Sequence, residues 1–449
     1  MRRIISILLL VATTLSLLYG CTDYEDVLRR KGESEYTIIL YGTTGGNLDK
    51  HLHQKLFELL YSDFSKEVNV AALVKFSKEM QDRRDLRGTR RFILFGNHRV
   101  ENEYYADASF QMDSPDNFAS FISEIKSLMP AKRYILILWN HGEEFSIFDQ
   151  PLADNTKSRA ILYDDNLKYS PMSIFELERG LSLAGTRFEA IILDACRMAS
   201  AEYLFQIDDF SDYILASSHN IYGGLYYDNF VQSLKKSGDI RYALYRLMER
   251  SIERWSRYDT NEAMELSLFD TKHSDNTLSC IAACVEDFIH LRSSLSGDEL
   301  YRYNRLNGTS QTKSSPFYSE EGILYYINPT VATSSKIAVE SVDLAHLFRN
   351  FANAFDDIPL KTSLSKLEES LDKMIVKRRS INFPSDVGKP SIAVKWSFSD
   401  YFSKDYTREY IERVGQEPLF PALKDIYPHL EFDKRTSWSS LLEGNMLVR

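Results

Sequence analysis

Cysteine is scarce in this chain, which has four cysteines among 449 residues and no C-x-x-C pair. This scarcity excludes a disulfide-stapled miniprotein and a zinc site built on closely spaced cysteine pairs. Basic residues are also in deficit, since 54 Lys and Arg stand against 64 Asp and Glu for a formal net charge of −10. Because there is no general cationic field to hold nucleic acid by counterion release, nucleic acid is not expected as a partner.

Phosphate-loop signatures, internal repeats and long low-complexity tracts are missing as well. Without G-x-x-x-x-G-K-[ST] or G-x-G-x-x-G, the TTGGN stretch predicts a tight turn rather than a phosphate site. What the chain does have is 44% hydrophobic and 26% charged residues, which is enough to bury a substantial core. At roughly 100–200 residues per domain, this length predicts about two or three domains.

The N-terminus has the features of a secretory signal. Arg2 and Arg3 precede an apolar stretch, Ile4–Leu18, that is too short and too terminal for a core helix. The Leu-Tyr-Gly-Cys sequence ending at Cys21 resembles a bacterial lipobox, which implies lipidation of Cys21. Tyr19 replaces the usual small residue, so an ordinary cleaved signal is the alternative. We expect an outer-membrane or cell-surface lipoprotein, held to the membrane by its N-terminal lipid only, with the periplasm as the alternative location.

The remaining cysteines number three, an odd count for an oxidising compartment, so at least one thiol must stay free. Cys280 and Cys284 lie four apart in a helical pattern and share one apolar face. We interpret both as small buried hydrophobic residues. Cys196 is the thiol that needs a functional explanation.

Strands alternate with helices in the first two thirds of the chain. Short apolar runs typical of strands buried on both faces of a mostly parallel sheet occupy residues 36–42, 91–96, 133–140, 188–195, 212–218 and 264–270. Helical patterns intervene, with starts predicted at Ser114-Pro115 and at Ser170-Pro171. The sequence therefore predicts a three-layer α/β/α sandwich.

The pattern changes after about residue 271. Helices are predicted around residues 276–295, 341–356 and 362–379, and strands at residues 322–327 and 391–398. We divide the chain into a signal peptide (1–20), a lipidated cysteine with linker (21–35), a mostly parallel α/β domain (36–275) and a mixed α/β C-terminal region packed on it (276–449).

Two of the buried runs end in residues that can do chemistry. One leads into His141-Gly142 and another into Ala195-Cys196. Because loops at the carboxyl ends of parallel strands carry the sites of open α/β sheets, His141 and Cys196 should face one crevice if the strands are neighbours. An imidazole lowers the pKa of a nearby thiol and can later protonate a leaving amine. His219 also follows a strand, but no glycine comes after it, and we rank it far below His141 as the base.

These motifs resemble those of clan CD cysteine peptidases. LWNHG, together with Asp-Ala-Cys-x-Met-x-Ser-x-Glu from Asp194 to Glu202, is similar to the clostripain family (C11). The likeness extends to the first strand, the strand after the cysteine helix and the closing segments, more loosely after residue 271. It implies a caspase-like fold and a cysteine-type endopeptidase.

The resemblance also implies roles for individual residues. Cys196 and His141 would form the catalytic dyad, and the backbone N–H groups of Gly142 and Cys196 would hold the oxyanion. Asp194 would lie at the S1 pocket and select Arg or Lys at P1 of protein or peptide substrates. An aspartate that merely caps the turn after its strand is the alternative for Asp194.

The chain departs from the family pattern around the proposed substrate loops. Glu143 and Glu144 stand where many relatives are small or glycine-rich, and either carboxylate is a candidate for basic P1 recognition. Ser218 and Asn220 lie in the loop after the strand at 212–218, where Asn220 replaces a common acidic residue. We still expect a basic P1.

Self-cleavage, cofactors and assembly are less constrained by the sequence. Lys157 and Arg159 lie in a polar loop between His141 and Cys196, and we predict cleavage there. No cofactor is required and no metal site is assigned. Calcium at the acidic turn beginning at Asp164 is compatible with the family but lacks the spacing of an EF-hand. We expect a monomer. The alternative to the enzyme is a catalytically silent surface lipoprotein that uses the same scaffold as a binding module.

Overall fold

Strands and helices alternate along the computed structural model, which describes residues 32–44, 48–61, 67–78, 80, 83–95, 99–142, 161–162, 164, 172–258, 263–306, 339–382, 391–398 and 427–446. The strands are β1 Ser34–Thr43, β2 Val68–Lys75, β3 Thr89–Phe95, β4 Arg99–Ala106, β5 Ala131–Trp139, β6 Phe188–Asp194, β7 Ser211–Ala216, β8 Met264–Asp270, β9 Val339–Asp343, β10 Ile375–Ile381 and β11 Ala393–Phe398. The α-helices are α1 Asp49–Leu60, α2 Pro115–Leu128, α3 Ile174–Ala184, α4 Ala201–Ile207, α5 Phe230–Ser237, α6 Ile240–Trp255, α7 Ser274–Ser294, α8 Gly297–Leu306, α9 Leu344–Ala354, α10 Ile358–Met374, α11 Glu431–Thr436 and α12 Ser439–Met446.

A nine-stranded sheet organises the fold, in the order β10-β8-β7-β6-β5-β1-β2-β3-β4. The five central strands, from β7 to β2, are parallel, and the outer two on each side are antiparallel to their neighbours. β9 and β11 form a separate two-stranded sheet. The predicted mostly parallel α/β architecture is confirmed.

Alternating side chains of the central strands fill two cores. Ile39 and Tyr41 of β1 pack on one face with α2, α3, α7, α9 and α10. Ile38 and Leu40 pack on the opposite face with α1, α5 and α6. Burial of both faces explains why these strands are nearly continuous apolar runs.

Helix starts follow their caps. Ser114 caps α2 by accepting a hydrogen bond from Asn117 N, with proline at the first helical position, as predicted. The start predicted at Ser170-Pro171 is wrong, because α3 begins at Ile174. Ser173 and Glu176 form a capping box there, which satisfies the backbone N–H groups of both residues at the start of the helix.

The C-terminal region contributes to the central sheet. The helix predicted over 362–379 ends at Met374, and the chain continues as β10, which pairs with β8 and extends the sheet by one strand. The strand predicted at 391–398 is confirmed as β11, and the one predicted at 322–327 lies outside the described residues. The proposed signal and lipidation site at Cys21 also lie outside them. None of the described helices is long and apolar enough to span a bilayer.

Candidate active site

The two reactive residues follow neighbouring strands. β5 and β6 are parallel and adjacent, with Trp139 opposite Asp194 in the register. His141 and Cys196 each come two residues after this pair, at the same edge of the sheet. Asn140 N continues the pairing with a 3.5 Å hydrogen bond to the Asp194 carbonyl. The topology thus brings the two loops predicted to carry the chemistry side by side.

Gly142 lies against the cysteine loop. A Cβ at this position would be 2.5 Å from the Cys196 carbonyl oxygen, 2.6 Å from Ala195 Cβ and 3.0 Å from Met198 Sδ. These distances are too short for any side chain, so only glycine allows the main chain after His141 to approach Cys196 this closely.

The cysteine loop is fixed from the loop that follows β7. Arg197 has a positive φ of 61°, uncommon for a residue with a side chain, and its N–H donates to the His219 carbonyl at 3.0 Å. Ala199 N donates to the Ser217 carbonyl at 2.8 Å. Asn220 Oδ1 accepts a 2.9 Å hydrogen bond from Arg197 Nε. Asn220 thus holds the residue after Cys196.

The thiol of Cys196 is half-buried, and both backbone groups of Ile221 face it. Ile221 N lies 3.4 Å from Cys196 Sγ and can donate to it, and the Ile221 carbonyl oxygen lies 3.6 Å away. The carbonyl can accept from a thiol, whereas the N–H can donate to a thiolate, so one residue contacts the sulfur in either protonation state.

Ser218 and His219, in the loop that follows β7, are buried. Glu265 of β8 accepts hydrogen bonds from Ser218 N at 3.1 Å and Ser218 Oγ at 2.8 Å. His219 Nδ1 lies 2.9 Å from Ser218 Oγ. Burial, with the nearby Arg197 charge, lowers the pKa of His219 to about 3. His219 is therefore a buried neutral ring, which agrees with its low rank as a base.

Asp194 is fully enclosed. Its Oδ1 accepts from Leu225 N at 2.9 Å and its Oδ2 from Tyr227 Oη at 2.8 Å. Burial raises the pKa of Asp194 to about 6, although both hydrogen bonds oppose the shift. Gly224, with φ of 79°, leaves space over the carboxylate, because a Cβ there would lie 2.7 Å from Trp139 Nε1 and 3.1 Å from Asp194 Oδ1.

A lysine is buried beneath the loop that follows β7. Lys55 of α1 is 1% exposed, and its Nζ is 3.2 Å from the centre of the Tyr226 ring and 3.5 Å from Glu58 Oε1. Glu58 Oε2 in turn accepts from Tyr227 N at 3.0 Å. Burial lowers the pKa of Lys55, and the charges of Glu58 and Asp194 partly offset that effect. Asp194 and Glu58 thus hold Tyr227 at both ends, with Lys55 as a nearby cation.

The last residue of the cysteine motif connects to the C-terminal region. Ser200 caps α4, and Glu202 is buried in its first turn. Glu202 Oε1 accepts from Lys395 N at 3.0 Å and from Tyr427 Oη at 2.7 Å. Ala393 N donates to the Ala199 carbonyl at 3.1 Å. β11 therefore docks directly on the helix that follows Cys196.

Other predicted residues lie elsewhere or outside the description. Cys284 is buried and Cys280 half-buried on α7, as small hydrophobic residues. Asp164, considered above for calcium, is buried in an ion pair with Lys75 at 2.5 Å and is not the solvated turn residue that its acidic sequence would predict. The candidate substrate-loop and cleavage residues outside the described ranges are Glu143, Glu144, Lys157 and Arg159. Within those ranges, no group of three or more His, Cys, Asp or Glu is arranged to hold a metal.

Sequence reasoning missed Lys55, Tyr227 and Glu265. Lys55 carried a usable signal, because it lies on the apolar stripe of α1 with Leu52 and Leu59, where a charged residue needs a reason. No pattern in the sequence indicates Glu265 or Tyr227, since their hydrogen-bond partners lie in segments that are remote in sequence.

Comparison with known proteins places these motifs in context. A model of the clostripain family, peptidase C11, matches residues 41–376. No curated protein matches the chain.

Solved structures share the fold at low identity. The chain is similar to a secreted C11 cysteine protease from Bacteroides thetaiotaomicron called iotapain, with a TM-score of 0.54 and 17% identity over 81% of this chain and 94% of that one. A secreted C11 cysteine protease from the same organism, in complex with an irreversible peptide inhibitor, matches with a TM-score of 0.59 and 16% identity over 91% of this chain and 100% of that one. An inactive zymogen C11 protease from Parabacteroides distasonis matches with a TM-score of 0.57 and 15% identity over 90% of this chain and 99% of that one.

Proposed function

Because this chain belongs to the clostripain family of cysteine peptidases, we propose that Cys196 is its nucleophile and His141 its proton carrier. The Cys196 thiolate attacks the scissile carbonyl, and the backbone N–H groups of Gly142 and Cys196 hold the oxyanion. The protonated His141 then gives its proton to the leaving amine as the C–N bond breaks. Water, deprotonated by His141, hydrolyses the thioester and restores the thiol.

One observation carries this assignment, namely the contact of Gly142 with the Cys196 main chain. A Cβ on Gly142 would fall 2.5 Å from the Cys196 carbonyl oxygen. This close approach of the two main chains supports the proposal that their N–H groups share one oxyanion. The register of Trp139 with Asp194 supports the same pairing.

Peptide bonds after Arg or Lys are the proposed substrates. Asp194 and Glu58 contribute two buried carboxylates beneath the loop that follows β7, with Lys55 beside Glu58. Buried negative charge favours a basic P1 side chain, since electrostatic interactions strengthen away from water. The similar Bacteroides thetaiotaomicron protease forms a complex with a peptide inhibitor, which is consistent with peptide substrates.

The peptidase is further proposed to be exported, anchored through lipidated Cys21, and activated by cleavage at Lys157 or Arg159. Similar structures include proteases described as secreted and one described as an inactive zymogen. Intact-mass measurement of purified wild type and Cys196→Ala tests the cleavage. Two fragments in the wild type and one chain in the variant are expected, and identical single chains would refute it.

Alkylation by a basic peptidyl acyloxymethyl ketone tests the catalytic assignment. Labelling at neutral pH should be lost in Cys196→Ala, fall strongly in His141→Ala and persist in Cys280→Ala, the matched thiol control. Failure to label Cys196 under conditions that label free thiols would refute the nucleophile. Paired substrates with arginine or the neutral isostere citrulline at P1 then measure the charge preference.

A further inference from the structure

Glu265 is a buried carboxylate that the proposed reaction does not use. It lies on β8, a mostly apolar strand whose residues are all buried, and it is itself 1% exposed. Burial raises the pKa of Glu265, while hydrogen bonds from Ser267 and Ser218 and the charge of Arg378 oppose the shift. A carboxylate withdrawn from water is costly unless it is hydrogen-bonded, so its position on this strand needs a structural or functional reason.

Both carboxylate oxygens of Glu265 accept hydrogen bonds from serines. Oε1 accepts from Ser267 Oγ on the same strand, and Oε2 accepts from Ser218 N at 3.1 Å and from Ser218 Oγ at 2.8 Å. Because the Ser218 hydroxyl gives its one proton to Glu265, it accepts from His219 Nδ1, which lies 2.9 Å away. His219, Ser218 and Glu265 therefore form a buried chain of hydrogen bonds that ends at the carboxylate.

Ser218 lies between the residues that hold the cysteine loop. Both of its neighbours in the chain bind that loop through their carbonyl groups, which accept from Ala199 N at 2.8 Å and from Arg197 N at 3.0 Å. Three residues after Ser218, Ile221 N lies 3.4 Å from Cys196 Sγ. A displacement of Ser218 therefore moves the N–H group that can donate to a Cys196 thiolate.

We propose that Glu265 is a positioning residue for the peptidase reaction: by fixing Ser218, it holds the loop after β7 where Ile221 N–H donates to the Cys196 thiolate. A hydrogen bond to the charged form of a thiol favours that form, so this placement increases the thiolate present at neutral pH. Ser218 then acts through the placement of the loop, since its buried hydroxyl is occupied by Glu265 and His219. This role of Glu265 rests on the proposed function, in which Cys196 is the nucleophile.

The pH dependence of Cys196 alkylation by iodoacetamide tests this role, with the Cys196 peptide followed by mass spectrometry. In Glu265→Ala the loop loses its anchor, and the alkylation midpoint should rise by about one pH unit, the effect of losing one hydrogen bond to a charged acceptor. Loss of the Glu265 charge alone would favour the thiolate and lower the midpoint, so a rise reports the loop rather than the charge. On an arginyl peptide, kcat should fall several-fold at neutral pH with a smaller change in KM.

Three further variants separate positioning from stability. Glu265→Gln keeps one oxygen that can accept from Ser218 N and Oγ, and it should restore a midpoint near that of wild type. Ser218→Ala keeps the main-chain hydrogen bond to Glu265 and should give a smaller rise, and it decides the matter if Glu265→Ala does not fold. Glu202→Ala is the matched control and should leave the midpoint unchanged, since Glu202 is an equally buried carboxylate that binds an N–H and a hydroxyl on the C-terminal side.

No rise in Ser218→Ala or in folded Glu265→Ala, no recovery in Glu265→Gln, or an equal rise in Glu202→Ala would overturn the positioning role. Failure of the proposed function looks different, because it would appear as an inactive wild type or as peptide hydrolysis that persists in Cys196→Ala.

Discussion

Two regions hold the cysteine loop, and they meet at one residue. Ala199 donates its N–H to the Ser217 carbonyl in the loop after β7 at 2.8 Å, and its own carbonyl accepts from Ala393 in the C-terminal region at 3.1 Å. The first region also directs Ile221 N toward Cys196 Sγ. The second makes its side-chain contact through Glu202, six residues beyond Cys196.

The two regions differ in chemistry. The loop after β7 has consecutive glycines at positive φ, and charged groups lie beneath it. The C-terminal side is aromatic and closely packed, with Trp396 and Trp438 buried and their ring centres 6.1 Å apart. Trp438 Nε1 also donates to the Lys395 carbonyl at 2.7 Å. We infer that perturbing the first region chiefly changes catalysis, whereas perturbing the second chiefly changes stability.

The largest effect on activity is expected from Gly142→Ala, which forces the His141 loop away from Cys196. A Cβ 2.5 Å from the Cys196 carbonyl oxygen requires a main-chain shift, and a displacement of about 1 Å in catalytic geometry can cost roughly 100-fold in rate. We expect at least that loss in kcat/KM on an arginyl peptide. Gly185→Ala is the control, because it strains the main chain at a φ of 55° but meets no atom within 4 Å of its Cβ and lies before β6, at the opposite end of that strand from Cys196. Near-normal activity of Gly142→Ala would contradict the proposed arrangement.

On the C-terminal side, Glu202→Ala should reduce stability and spare catalysis. It leaves the Tyr427 hydroxyl and Lys395 N–H without their acceptor, which costs about 1–3 kcal/mol for each buried group. Denaturant unfolding measures the loss, and kcat per active site, titrated with the ketone inhibitor, should stay within about twofold under folding conditions. Tyr427→Phe removes only one of these bonds and should cost less. A large loss of kcat in folded Glu202→Ala would erase the distinction between the two regions.

A smaller effect is expected from Asp194→Asn, and its size should depend on pH. The pKa of Asp194 is about 6 in the fold against an ordinary 3.8, so the folded protein retains this proton where the unfolded chain has lost it. The contribution of the proton to stability is present below about pH 4 and is lost as pH rises through 6. The stability of wild type relative to Asp194→Asn should therefore fall by about 2–3 kcal/mol between pH 4 and 7. Exposed Asp298→Asn is the control, and a flat difference would contradict the raised pKa.

The sequence predicted the elements with strong local patterns. The apolar strands β1, β5, β6 and β7, the cap at Ser114 and the alternating order were all readable, because burial on both faces leaves a continuous apolar signature. β2, VNVAALVK, was missed although all of its residues are buried, and β4 was missed since this polar edge strand, RVENEYYA, lacks that signature. β10 was assigned to a helix because the Lys- and Arg-rich sequence after Met374 has no strand-like alternation, and pairing with β8 decides its structure.

The active-site residues at strand ends could be predicted from the sequence, but the hydrogen-bond partners that hold them could not. His141, Gly142 and Cys196 are adjacent to strand ends, where topology alone sets their neighbourhood. The partners of Asp194 lie at Leu225 and Tyr227, and those of Ser218 at Glu265, so they depend on how remote loops pack. No spacing rule links these positions in the sequence.

The smallest and most specific effect is expected from Lys55→Met. Removing this buried cation should raise the pKa of Asp194 further, since the Lys55 charge lowers it. The loss of the cation outweighs this extra protonation of Asp194, so the P1 preference for arginine over citrulline should rise a few-fold near pH 8, where Asp194 is ionised, and less near pH 6. Taking the ratio of the two substrates cancels the titration of His141 and Cys196, which affects both equally. Lys50→Met, an exposed lysine of the same helix, should leave the ratio unchanged at either pH. If Lys55→Met behaves like Lys50→Met, the charge beneath the substrate loop does not select P1, and the loop after β7 contributes through its main chain alone.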